Sequence, residues 1–148
     1  MTTREDIVRI ARGFIGTRFV HQGRGQGGLD CLGLLLAVAQ AASLEFDATL
    51  ALQSRHYGRL PDTELLQAKL HEFLWPREPA AILPADILLL HIDGRPQHLA
   101  IVSDYPAMGE LGIIHAYAGA HGVVEHRLDA HWKQAICGAY TLPQLLTR

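Results

Sequence analysis

The chain has no cluster of lysines and arginines. Its 13 basic and 15 acidic residues are scattered and leave a formal net charge of −2. Binding nucleic acid requires grouped cations against phosphates, so no nucleic-acid partner is expected. Long apolar runs are missing as well. The longest, "LGLLLAVAQAA", falls well short of the roughly 20 residues that cross a bilayer, so no membrane span is expected. The opening "MTTREDIVRIARGF" carries charges every few residues and lacks the apolar core of a signal peptide. Synthesis in the cytoplasm without a signal peptide is the expectation. Cysteine is scarce: Cys31 and Cys137 are the only two, far apart, and two thiols are the default in that compartment. There is no C-x-x-C, no H-E-x-x-H and no tight histidine pair, so the spacings that hold zinc are absent. No repeat or low-complexity segment interrupts the chain.

What remains is an ordinary globular composition. With 148 residues, 49% hydrophobic and 19% charged, the chain suits a single domain over 1–148 with a real core. Residues 3 to 15 predict an amphipathic helix, with Ile7, Ile10, Ala11 and Phe14 on one face. Thr3 is its expected N-cap and Asp6 the matching residue three positions on. A loop with five glycines between 16 and 28 follows. A second helix, apolar nearly all round and therefore central, is predicted from about Asp30 to Ala42. A third is predicted over 62–74 with Asp62 as cap, and 43–60 reads as loop. The second half changes to short β-rich runs: "ADILLLHI", "HLAIVSD", "LGIIHAY", "GVVEHRL" and "ICGAYTL". Helices first and five hairpin-linked strands after predict an α+β fold with an antiparallel sheet.

Cys31 lies where the glycine-rich loop meets the second helix. A cysteine before an apolar helix is more often packing than chemistry. Here Asp30 caps the helix, so the sulfur falls in its first turn, where the dipole and unpaired N–H groups favour a thiolate. The backbone N–H of Cys31 could help hold an oxyanion. A thiolate also needs a histidine partner. His98 is expected at the first position of a strand and His115 at the end of the next. An antiparallel hairpin would make them neighbours on one rim, supplying a base and an orienting group. Cys137 lacks such a setting and reads as structural. The series His115, His121, His126 and His131 is spread over turns and two strands, with no evident convergence. A zinc site from Cys31, His98 and His115 is the rival use, and poor ligand spacing disfavours it. No cofactor is implied.

These motifs resemble a known family. "IGTRFVHQGRGQGGLDCLGLL" is similar to the opening of the NlpC-type cell-wall peptidases, which are papain-like: Gly-x-Pro-Tyr, a glycine-rich stretch, then Asp-Cys-Ser-Gly-Leu. "LPADILLLHI" resembles the family's Pro-Gly-Asp-Leu strand entry, "HLAIV" its His-x-Gly-Ile strand, and "IIHAY" the segment with the third polar residue. The phage-type branch, found in phage tails and gene transfer agents, is the closer match through "IIHAYAGAHGVVEHRL" and Trp132. The resemblance implies Cys31 as nucleophile, His98 as general base and His115 as orienting residue. It implies hydrolysis, through an acyl-enzyme, of a peptidoglycan peptide bond, commonly D-γ-glutamyl to a diamino acid. Arg18-Phe19 stands where the family has Pro-Tyr, and Leu32 where it has Ser. Phe19, Leu32 and Asp30 are accordingly the expected substrate-side residues, with Asp30 facing a substrate ammonium. A virion tail is the implied carrier, acting on the cell wall. The alternatives are an idle tail assembly component and acyl transfer or amide chemistry on the same scaffold.

Overall fold

The computed structural model describes residues 2–20, 23–25, 27–44, 63–92 and 95–145. Helix α1 spans Arg4–Arg12, and Thr3 and Asp6 form the expected reciprocal capping box. Ile7, Val8 and Ala11 face the core, and Gly13 ends the helix. Within the glycine-rich loop the backbone folds on itself as a short hairpin, β1 (Arg24–Gly25) and β2 (Gly28–Leu29). Helix α2, Cys31–Ala41, follows directly with Asp30 as N-cap. Seven of its residues are buried, as its apolar sequence requires of a central helix. Helix α3 covers Thr63–Phe73; its expected cap Asp62 lies outside the described residues, as does nearly all of the 43–60 segment.

The sheet has six antiparallel strands in place of the five expected: β3 (Trp75–Pro76), β4 (Ile87–Ile92), β5 (Arg95–Ser103), β6 (Gly112–Tyr117), β7 (Gly122–Arg127) and β8 (Ile136–Thr141). Their order is β3-β8-β4-β5-β6-β7. The unexpected strand is a two-residue edge piece pairing Trp75 with Thr141, too short and too proline-bearing to show a pattern. Between the last two predicted strands, "DAHWKQ" holds helix α4, Ala130–Gln134, capped by Asp129. β5 also starts earlier than expected. The hairpin with β4 continues past Leu90↔His98 to Ile92↔Arg95, so His98 is the fourth strand residue and not the first.

Alternation along the strands sorts the interior into two layers. Ile87, Leu89, Leu99, Ile101, Ile114 and Ala116 belong to the principal core with α1, α2 and Leu70 of α3. Leu88, Leu90, Ala100, Val102 and Ile113 belong to a smaller cluster on the other face, closed by Trp132 of α4 and by Leu128. A buried charge pins the entry to β4. Asp86, fully buried, accepts from the Leu83 N–H, Arg4 and Thr141 and pairs with Arg77.

Candidate active site

Cys31 opens α2 at 6% exposure and is not in a disulfide. Its place is set locally: the Asp30 carboxylate accepts the Gly33 N–H at 2.7 Å, which fixes the first helical turn around the sulfur. A Cβ on Gly33 would come within 2.1 Å of the Gly23 carbonyl oxygen. Glycine is thus required there because the glycine-rich loop lies directly on the helix start. The Asp30 N–H donates to that same carbonyl. α2 itself lies against β5 and β6, the strands that carry His98 and His115.

The two histidines meet. Antiparallel pairing of β5 with β6, through Ile101↔Ile114, carries His98 to the level of Tyr117, diagonal to His115 on the same face. His98 Nε2 and His115 Nδ1 are 2.6 Å apart, a short hydrogen bond. The outer nitrogen, His115 Nε2, lies 2.8 Å from His126 Nε2. β6 and β7 produce this contact by the same diagonal rule: His115 pairs with Val124 and His126 with Ile113, so both side chains leave one face. His126 is therefore a member of the cluster, which corrects the expectation that it would not converge with His115. Its signal was present in the sequence only as matched parity along two strands whose register was unknown.

Aromatic rings wall the row. Tyr117 stacks on His115 at 5.2 Å between ring centres with planes 16° apart, and Trp132 stands edge-on to both His115 and Tyr117. Enclosure has an electrostatic consequence. Burial holds His98 well below the ordinary histidine range, at about 4, because an imidazolium there would be poorly solvated. His115 is lowered too, first by burial and then by repulsion from His98 and His126. Both rings are thus neutral near pH 7.

The expected substrate-side residues separate. Asp30 is 2% exposed and its carboxylate is engaged with its own helix start. Leu32 is 1% exposed and sits in the principal core, so it packs and does not line a cleft. The second helical residue faces the sheet here, where an apolar side chain serves better than a polar one. Phe19 is half-buried against the same core, and its N–H donates to the His121 carbonyl. Cys137 donates weakly to the Leu89 carbonyl, and burial raises its thiol pKa, in keeping with a structural role. Among the described residues no group of three or more potential ligands could hold a metal ion, and no helix is long and apolar enough to cross a membrane.

This helix-plus-sheet arrangement is the papain-like fold of NlpC/P60 proteins. An NlpC/P60 family protein from Bacillus cereus ATCC 10987 superimposes with a TM-score of 0.67 at 15% identity over 93% of this chain and 39% of that one. The NlpC/p60 domain of the peptidoglycan hydrolase SagA gives 0.63 at 21% identity, covering 95% of this chain and all of that domain. A lipoprotein-like NLP/P60 family protein from Staphylococcus aureus Mu50 gives 0.63 at 17% identity over 94% and 41%. The chain thus spans about two fifths of the first and third structures. No protein-family model and no curated protein matches the sequence.

Proposed function

We propose that the protein is a cysteine peptidase of bacterial peptidoglycan, with Cys31 as nucleophile, His98 as general base and His115 as its orienting partner. The observation that carries this is the His98–His115 hydrogen bond of 2.6 Å, made on the Trp132 side of two strands whose other side packs on a cysteine-headed helix. The fold shared with the SagA peptidoglycan hydrolase domain supports the substrate class. The motif resemblance supports the finer assignments: a D-γ-glutamyl-diamino acid linkage as the bond cut, and a phage tail or gene transfer agent as the carrier.

In this scheme neutral His98 takes the Cys31 proton as the sulfur attacks the amide carbonyl. The oxyanion is met by the backbone N–H of Cys31 at the positive end of α2. The proton then passes from His98 to the leaving amine, which departs and leaves a thioester. Water, deprotonated by His98, attacks the thioester and releases the acid and the thiol. Phe19, within the glycine-rich loop and only half-buried, is the substrate-side residue we assign to the cleft wall.

Mass spectrometry of peptidoglycan fragments incubated with wild type and with Cys31→Ala tests this. Cleavage at the γ-glutamyl linkage by wild type alone is expected. Equal cleavage by both would remove Cys31 as nucleophile. No cleavage by either folded protein would favour the tail assembly role.

A further inference from the structure

The histidine row does not end at His115, and its outer end determines the protonation of its inner end. His126, half-buried on β7, has both ring nitrogens engaged: Nε2 toward His115 at 2.8 Å, and Nδ1 toward the Arg127 backbone carbonyl at 3.0 Å. A carbonyl oxygen can only accept, so His126 Nδ1 carries a hydrogen. A neutral imidazole has one N–H, which leaves His126 Nε2 as an acceptor. His115 Nε2 must then donate, and His115 Nδ1 becomes the acceptor. His98 Nε2 must donate in turn across 2.6 Å. The single unprotonated nitrogen left at the inner end is His98 Nδ1. A cysteine nucleophile needs that lone pair, since a ring nitrogen that already carries a hydrogen has none left to accept the thiol proton.

From this geometry we infer that His126 is a positioning residue: through the Arg127 carbonyl it sets one direction of hydrogen bonding along all three rings and presents His98 Nδ1 as the base. The inference builds on the proposed peptidase reaction but concerns a different residue. It adds a third ring to the two that the motif resemblance singles out. The reverse direction would need a proton on both nitrogens of His126, an imidazolium at the outer end. Trp132 stabilises the arrangement by packing against His98, His115 and His126, with ring centres 6.5, 5.0 and 5.3 Å away, which keeps water from competing for the inner hydrogen bonds.

The test is long-range ¹⁵N–¹H correlation NMR on histidine-labelled full chain at about pH 8, above the ordinary histidine range, combined with turnover of peptidoglycan fragments. Wild type is expected to show His98 and His115 as Nε2–H and His126 as Nδ1–H. In His126→Phe the acceptor is lost, and His98 is expected to become a mixture of tautomers. In His126→Gln the carboxamide oxygen can accept from His115 Nε2–H, and the single wild-type tautomer should return. Turnover should follow: kcat about tenfold down or more in the Phe variant with KM little changed, and largely rescued by Gln. A wild-type His98 found as Nδ1–H would overturn the inference. So would a His126→Phe protein, folded by its amide spectrum, with an unchanged His98 tautomer. The NMR series needs no substrate, so it separates the two proposals. Tautomers that respond as expected in a protein without hydrolase activity would remove the peptidase assignment alone. Full hydrolysis with unresponsive tautomers would remove only the role of His126.

Discussion

The indole of Trp132 stands edge-on to the imidazole of His115, with ring centres 5.0 Å apart and planes at 81°. Asp129 makes this possible by accepting the Trp132 N–H at 3.1 Å and starting the five-residue α4 at that point. Trp132→Ala should therefore do more than remove packing. Water would reach the histidine row, the burial that lowers His98 would weaken, and its pKa should climb from about 4 toward 6.5. NMR titration of His98 in the variant checks this. The accompanying stability loss should be about 2 kcal/mol, below the full cost of a buried aromatic because Trp132 is only half-buried.

Stability should fall on mild acidification, with a sign that follows from the same burial. His98 in the folded protein is at about 4, below the 6.5 of an unperturbed histidine. Between those values the unfolded chain binds the extra proton, so acid favours unfolding. The contribution is fully present above pH 6.5 and lost progressively as pH falls to about 4. At ~1.4 kcal/mol per pH unit, His98 accounts for about 3 kcal/mol, and His115 acts in the same direction. Urea unfolding at a series of pH values should show this slope, and His98→Gln should flatten it.

Asp86 holds two arginines and a threonine from separate parts of the chain: Arg4 on α1, Arg77 after β3 and Thr141 on β8. Asp86→Ala should cost about 3–5 kcal/mol, because both guanidinium groups lose their buried partner. The measurement is the denaturation midpoint of the variant. A drop of less than about 1 kcal/mol would show that solvent takes over the arginines, which are each 24% exposed.

Ala85 sits at φ +79°, in the left-handed region that disfavours a Cβ, and its N–H is held by the Val102 carbonyl. The resembling family places glycine at the equivalent point of its Pro-Gly-Asp-Leu entry. Ala85→Gly relieves the steric cost of the backbone while losing some entropy in the unfolded chain, for a net gain of about 0.5–1 kcal/mol. A thermal scan showing a lower melting temperature would mean that the buried methyl packs better than the strain costs.

Local physics is what made the helices and most strands legible. Thr3 with Asp6, and Asp30 before an apolar run, are capping patterns complete within four residues, and both caps form as read. Short β-rich runs separated by turn-forming residues marked five strands, because a strand buried on both faces is apolar along its length. The pattern resemblance placed Cys31, His98 and His115 on their elements without any knowledge of their contacts. The structure then decided what spacing cannot express. His126 joins the row only because β6 and β7 pair His115 with Val124 and Ile113 with His126, a register set by long-range pairing. Leu32 faces the core because of where the sheet lies beneath α2. Asp86 collects Arg4 and Arg77 from elements more than eighty and about ten residues away respectively, a juxtaposition that no local pattern encodes. Caps and β-rich runs depend on neighbours in sequence. The hydrogen-bond direction that singles out His98 Nδ1 depends on three strands brought side by side.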